Sequence, residues 1–283
     1  MSVRGDRLVR AMTDDGSFRV VTADTTLTVR GALAAQEAVG ETARVLGDLV
    51  TGVLLTRITM APALRVQGVL RGPAGQLVAD SHPSGKTRAL VTRGPDGGLD
   101  LSPGPSTLLR MMRTLHDGRL SQGVVGVTSP SMSVALMEYM ETSEQVTTML
   151  AVGTRLGEAG VERAGGYLVQ LLPGAARGPL MLMTERLEDF RSVDAWLARD
   201  DFTPEALLAD LLYGLPHTWL GEDEAEFGCW CSRLGVTSAL STLPRTELES
   251  MVSAGEVLEI RCDYCGEEYR VPPAELRGLT ATS

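Results

Sequence analysis

The four cysteines of this 283-residue chain stand as two close pairs near its C-terminal end, Cys229-Trp230-Cys231 and Cys262-Asp263-Tyr264-Cys265, and none falls in the first 228 residues. A Cys-x-Cys pair followed by a Cys-x-x-Cys pair supplies four thiolates, which is one complete tetrahedral zinc site. The same spacing gives each sulfur a near neighbour with which it could form a disulfide. One constellation can therefore hold a metal when reduced and staple itself when oxidised.

The expected ligands are Cys229, Cys231, Cys262 and Cys265, holding one Zn2+ per chain in the reduced form. Val257 to Arg261 and Glu267 to Val271 flank the second pair and read as a hairpin whose turn grips the ion, with Gly266 free to take positive φ. A module of roughly 50 residues is too small to build a robust core alone, so its fold should depend on the metal. An iron–sulfur cluster is an alternative occupant. A thioredoxin-like site is a weaker one, because no βαβ start precedes the Cys-x-x-Cys pair. A structural zinc without any switching role fits the same spacing.

Charge and composition narrow the function classes. The net charge is −10 and the sequence pI about 4.9, which repels nucleic acid and anionic membranes. Arg233, Arg245, Arg261, Arg270 and Arg277 surround the cysteines, but the acidic run Glu222 to Glu226 lies beside them and opposes a nucleic-acid-binding zinc protein. Met1 to Val20 carries charges and no apolar signal-peptide core. No apolar run approaches the ~18 residues of a membrane span. A cytoplasmic protein is expected, in a compartment that keeps thiols reduced. No serine elbow, phosphate loop or defensible acid–base carboxylate pair is present, so no enzyme is expected. A thiol oxidoreductase would need one exposed cysteine of low pKa. His82, His116 and His217 read as surface loop residues. Met111, Met112, Met132, Met137 and Met140 read as core filling ahead of an adaptable client surface.

The pattern predicts an α+β chain in three parts. Residues 1–184 form a mixed α/β domain, 185–226 an acidic, metastable helical linker, and 227–283 the small zinc-binding domain. Strands are expected at Phe18 to Thr22, Leu64 to Leu70, Leu77 to Asp80, Thr87 to Val91, Gln122 to Val127 and Gly165 to Pro173. Helices are expected at Ala32 to Ala38, Glu41 to Leu55 and Ser131 to Glu141. Between Glu185 and Gly228 stand twelve Asp/Glu against three Arg, nearly the whole net charge, with six of the twelve aromatics. Ser192 can cap a helix through Leu197, and Thr203-Pro204-Glu205 is an N-cap, N1 proline and first-turn acid ahead of Ala206 to Tyr213. Such short amphipathic helices are marginal unless something covers their apolar faces. In the last part, Thr246 and Glu249 are spaced as a capping box.

Oxidation of the thiolates would remove the ligands, and with them on the order of 10 kcal/mol of apparent folding free energy. If the module helps to hold the acidic segment, that segment would then expose apolar surface beside dense charge, a combination that suits a holding chaperone. Trp196, Leu207, Leu208, Leu211, Leu212 and Trp219 are the candidate client-binding residues.

Phe227-Gly228-Cys229-Trp230-Cys231-Ser232-Arg233, Leu240-Ser241-Thr242-Leu243-Pro244 and Cys262-Asp263-Tyr264-Cys265-Gly266 strongly resemble the redox-regulated heat-shock holdases of bacteria, the heat shock protein thirty-three family. Gln122-Gly123-Val124-Val125-Gly126, Ser143-Glu144-Gln145 and Ala164-Gly165-Gly166-Tyr167-Leu168-Val169-Gln170 extend the resemblance over nearly the full length. It implies an ATP-independent chaperone, inactive when reduced and zinc-bound. Oxidative stress would activate it by forming disulfides Cys229–Cys231 and Cys262–Cys265 with release of zinc. Implied partners are unfolded or oxidatively damaged clients and, in the active form, a second copy of the chain. The N-terminal half departs from some relatives in its few aromatics and its single lysine, Lys86.

Overall fold

Strands that are apolar on both faces organise the chain. The computed structural model describes residues 5–60, 64–115 and 117–280. The first of its two compact units, Met1–Phe227, contains β1 (Asp6–Thr13), β2 (Phe18–Asp24), α1 (Thr26–Ala35), α2 (Gly40–Thr59), β3 (Val66–Arg71), β4 (Gln76–Ser81), β5 (Lys86–Thr92), β6 (Gly104–Thr114), β7 (Leu120–Val127), α3 (Met132–Thr142), β8 (Thr148–Gly157), β9 (Gly160–Leu171), α4 (Arg177–Asp189), α5 (Asp194–Leu197), α6 (Pro204–Leu211) and β10 (His217–Phe227). The strands form one sheet in the order β7-β6-β3-β4-β5-β10-β1-β2-β9-β8, antiparallel throughout except where β10 meets β5. Successive side chains in a strand point to opposite faces. In β2, Phe18 and Val20 face one helical layer, whereas Val21 and Ala23 face the other. In β9, Tyr167 and Val169 alternate with Leu168 in the same way. Burial on both sides is what gives these strands their near-continuous apolar runs.

One layer is α1, α2 and α3. Helix α2 is apolar nearly all round and is buried accordingly, with Leu46, Leu49, Val50, Val53 and Leu54 fully inaccessible. Helix α1 has no side-chain cap of its own. Asp6, reaching across from β1, accepts hydrogen bonds from the Leu27 and Thr28 amides at 2.9 and 2.5 Å. Helix α3, expected from Ser131, begins where the Ser131 side chain accepts from the Val134 amide. Of the five methionines expected in the core, Met111, Met132 and Met140 are buried and half-buried Met137 packs against them, whereas Met112 is half-buried outside it.

The other layer is α4, α5 and α6, packed on β1, β2, β8 and β9. Its contact with the sheet relies on missing side chains. Gly153 of β8 and Gly165 of β9 are direct cross-strand neighbours. A Cβ on Gly153 would meet Val193 Cγ1 at 2.9 Å and Leu197 Cδ1 at 3.0 Å. One on Gly165 would meet the Ala23 carbonyl oxygen at 2.5 Å and Phe202 Cζ at 3.1 Å. The bare patch lets α5 and Phe202 lie close to the sheet. Tyr167, Phe190 and Trp196 continue the contact as an edge-to-face pair (6.3 Å) and a stacked pair (6.1 Å), and the Tyr167 hydroxyl donates to the Phe190 carbonyl.

Two expectations are corrected here. Residues 185–226 are not a helical linker throughout. Helix α4 starts at Arg177, ahead of the expected boundary, and His217–Phe227 is a strand of the sheet. Its period-2 pattern is hidden in sequence because its alternating residues are acidic. Glu222 pairs with Arg7 and Asp223 with Arg10, both on the neighbouring β1, at 3.2 and 2.9 Å. His217 accordingly opens a strand and is not in a loop; His82 sits in the β4–β5 turn, and His116 lies outside the described residues.

The second unit, Gly228–Ser283, holds α7 (Arg233–Leu240), α8 (Arg245–Ala254), the antiparallel hairpin β11 (Leu258–Arg261) and β12 (Glu268–Val271), and α9 (Pro273–Thr280). Its buried apolar residues are Leu240, Leu248, Val271 and Leu276. Helix α8 is entered from Pro244, so Thr246 lies inside its first turn and makes no capping box. Glu249 pairs instead with Arg245, one turn back, at 2.8 Å. The helix closes on Gly255 in the left-handed conformation, φ +72°.

Gly165→Ala tests the bare patch. The alanine would gain roughly 0.5–1 kcal/mol from backbone entropy, and overpacking against a fixed carbonyl costs about 1–3 kcal/mol. The expected outcome is net destabilisation, read as a lower urea midpoint at unchanged slope. An unchanged or higher midpoint would show that the helical layer does not need the close approach.

Candidate metal centre

The four thiols predicted from spacing converge. The Sγ atoms of Cys229, Cys231, Cys262 and Cys265 all lie within 4.8 Å of one another, and each residue is half-buried. The Cys229–Cys262 sulfur distance is 3.8 Å and the Cys231–Cys265 distance 3.5 Å. A tetrahedron with metal–sulfur bonds of about 2.3 Å has edges of about 3.8 Å. A disulfide would bring two sulfurs to about 2.05 Å, and none of the four cysteines is in a disulfide. The donor set and its spacing fit a zinc ion.

Local folding explains the convergence. Cys262 and Cys265 sit on the turn between β11 and β12. The Cys262 amide donates to the Glu267 carbonyl and the Gly266 amide to the Cys262 carbonyl, both at 2.8 Å. Gly266 takes φ +76°, the positive value that a residue with a side chain avoids. The Glu267 amide donates towards Cys265. Cys229 and Cys231 precede α7, whose first turn is capped by Ser232, the residue after the second ligand. Arg233 and Glu275 form an ion pair between α7 and α9.

The thiols crowd one another. Loss of solvation, with neighbouring thiols adding to it, pushes Cys265 up to about 12, and loss of solvation also raises Cys231. Crowding of this kind keeps sulfur protonated until a dication reverses the sign of the local field. Binding therefore releases protons and weakens as pH falls.

One participant escaped the sequence reading. The Tyr269 hydroxyl donates to Cys231 Sγ at 3.1 Å. Its position two residues into β12 gives no ligand-like spacing, and only the folded hairpin brings it to the sulfur. The bond to Cys231 also raises the Tyr269 pKa, which keeps the hydroxyl a donor.

The candidate client-binding residues fall elsewhere. Leu207, Leu208, Leu211 and Leu212 are buried together in the α4–α6 layer, and half-buried Trp196 packs on that cluster. Trp219 is not brought to them as a core member. It stands on β10, 46% exposed, opposite Ala11.

A sequence model described as "Hsp33 protein" matches residues 6–272. The 33 kDa chaperonin of Syntrophotalea carbinolica is 32% identical over 290 residues, covering 98% of this chain and 99% of that protein. The protein of the same name from Thermus thermophilus is 32% identical, covering 97% and 86%. That from Listeria monocytogenes serovar 1/2a is 29% identical, covering 97% and 98%. The fold is similar to the crystal structure of the 33 kDa chaperonin (heat shock protein 33 homologue) of Thermotoga maritima, with a TM-score of 0.82, 21% identity and 99% of each chain covered. At that identity the likeness is one of fold.

Tyr269→Phe should weaken zinc affinity about 10-fold or more, the usual cost of losing a hydrogen bond that orients a ligand. Competition with a chromophoric chelator under reducing conditions measures it. Equal affinity in the two proteins would show that the hydroxyl does not support the site.

Proposed function

The chain belongs to the Hsp33 family, and on that premise we propose that it is a cytoplasmic, ATP-independent holdase whose activity is set by the redox state of its four cysteines. The observation that carries this reading is the cluster of four thiols, none in a disulfide, at tetrahedral spacing in a unit with four buried apolar side chains among its described residues. When bound, a zinc ion supplies on the order of 10 kcal/mol of folding free energy to such a unit. Cys229, Cys231, Cys262 and Cys265 hold it in the reduced form, one ion per chain. The domain scheme proposed is 1–184, 185–226 and 227–283, with the helices of the middle part, α5 and α6, as the portion that loosens while β10 stays in the sheet.

Activation is an oxidation of sulfur. For each disulfide, two thiols surrender two electrons and two protons to a hydroperoxide, whose O–O bond breaks; with hydrogen peroxide the products are one disulfide and two waters. The proposed pairs are Cys229–Cys231 and Cys262–Cys265. Partners within a pair stay adjacent however far the unit unfolds. The short contacts, Cys229–Cys262 and Cys231–Cys265, run between the pairs and require the folded turn. A sulfur committed to a disulfide no longer serves as a thiolate ligand, so oxidation and metal retention exclude one another.

The acidic segment supplies the apolar surface. Leu207, Leu208, Leu211 and Leu212 now face the sheet. Displaced from it, they and Trp196 would present an apolar stripe to an unfolding client, while the surrounding carboxylates keep the complex soluble. Trp219, already exposed, would extend that surface. The protein would act by binding, not by turnover, and as a homodimer when active.

Light scattering from a heat-unfolded test protein checks the reading. The reduced, zinc-loaded chain should leave aggregation unchanged. The chain treated with peroxide and heat should suppress it near stoichiometry while releasing one zinc. Equal protection by both forms would overturn redox control, and no protection by either would overturn the chaperone assignment.

A further inference from the structure

A polar cavity of about 330 Å3 lies where the acidic segment meets the first unit's core, lined by Arg44 and Asp48 of α2, Ser131 before α3, Thr154 of β8, and Arg191 and Asp194 at the start of α5. Asp48 is 4% exposed and Thr154 7% exposed. Arg44 Nη1 engages Asp48 Oδ2 at 3.2 Å. The Thr154 hydroxyl stands by the carboxyl and favours its ionised form. Even so, among the described residues neither Asp48 Oδ1 nor Thr154 Oγ1 completes a hydrogen bond. A buried polar atom left this way costs about 1–3 kcal/mol, and more when charged.

What could occupy Oδ1 follows from the surrounding charges. A divalent cation would sit beside the Arg44 guanidinium, which already holds the other carboxyl oxygen. An anion would face Asp48 and Asp194. A proton has neither objection. The charged groups around Asp48 are Glu41 and Arg44 on α2 and Asp194 on α5, with Arg191 at the rim held by Glu188. Strand β8 and the start of α3 contribute only uncharged groups to the lining.

The carboxyl is also mechanically placed. Val193 and Leu197 sit on bare Gly153, and a Cβ there would meet Asp194 Oδ1 at 3.3 Å. Asp194 is thereby fixed over β8 one residue from Thr154. A Cβ on Gly47, the neighbour of Asp48 in α2, would meet Thr154 Oγ1 at 2.4 Å. Solvating an ionised Asp48 means admitting water beneath α5.

We propose that α5 is seated by a proton-dependent latch: it stays docked on β8 while the Asp48 carboxyl is neutral and loosens when that carboxyl ionises against Asp194. Burial outweighs the opposing pull of Thr154 and Arg44 and, with Asp194 and Glu41 adding to it, pushes Asp48 up to about 7. The sign follows from linkage. The docked state binds the proton more tightly than an open, solvated state, so docking is firmest at low pH. It weakens as pH rises towards about 7 and is constant above it. The latch concerns docking alone and stands whether or not the released segment binds clients.

Hydrogen exchange of the peptide covering 190–199, corrected for intrinsic rates, reads the latch in the full-length, reduced, zinc-loaded protein between pH 6 and 8. The expected opening constant of the wild type rises, by at most about tenfold per pH unit, and levels off above about pH 7. Asp48→Asn should abolish the step. Asp194→Asn, on an exposed side chain, should lower the plateau and move the rise to lower pH. A wild-type opening constant that does not change from pH 6 to 8 would overturn the proposal. So would a step that survives Asp48→Asn; should that variant not fold, a pH profile for Asp194→Asn superimposable on wild type would do the same.

Discussion

Four sulfurs converge in the second unit, and much of what the chain is proposed to do follows from how little else is buried there. A core of this size rarely supplies more than about 3–5 kcal/mol, and this one buries only Leu240, Leu248, Val271 and Leu276 among its described residues. Metal–thiolate bonding on the order of 10 kcal/mol exceeds that by a wide margin. With a metal held there as proposed, the order of the unit is tied to the chemical state of its sulfurs more than to the sequence of its helices. Tyr269 belongs to the same economy of means, since its hydroxyl serves a ligand and its ring is carried by the hairpin that presents two others.

The first unit is ordered by the opposite principle. Its sheet is buried on both faces at β1, β2 and β9, and α2 is enclosed nearly all round. The acidic helices lie on it through leucines and aromatics, not through charge. Arg7 reaches both Glu205 of α6 and Glu222 of β10, at 2.7 and 3.2 Å. Ion pairs at such partly exposed positions contribute about 0–1 kcal/mol each. One buried leucine contributes roughly 1.5–3 kcal/mol, and Leu207, Leu208, Leu211 and Leu212 are all buried.

The sequence made the thiol site legible because ligand spacing is local: a Cys-x-x-Cys-Gly turn carries its own geometry. The same held for α6, whose expected cap Thr203 accepts the Ala206 amide. Strand β10 was not legible, because its partners Arg7 and Arg10 lie more than two hundred residues away in sequence and acidic alternation looks like a solvated run. Strands β1, β6 and β8 also escaped notice. Asp6 caps α1 from another strand, and nothing local marks it. Thr246 and Glu249 show the converse: capping-box spacing is necessary and not sufficient, since Pro244 placed the helix start two residues earlier than the motif required.

The acidic segment carries opposed forces within itself. Its carboxylates outnumber its arginines four to one, so docking gathers like charge against the sheet. Its leucines and Trp196 pull the other way. Burial of four leucines against β1 and β2, and of Val193, Leu197 and Phe202 on the bare Gly153–Gly165 patch, offsets that repulsion only while the helices remain docked. Partial lifting loses packing steeply with distance, since a gap of about 0.5–1 Å already forfeits a quarter to a half of each contact's attraction. Repulsion between carboxylates falls off far more slowly, over a Debye length of about 8–10 Å. A segment balanced between a short-range attraction and a longer-range repulsion has few stable half-docked positions, which is the behaviour that the proposed release of the acidic helices requires.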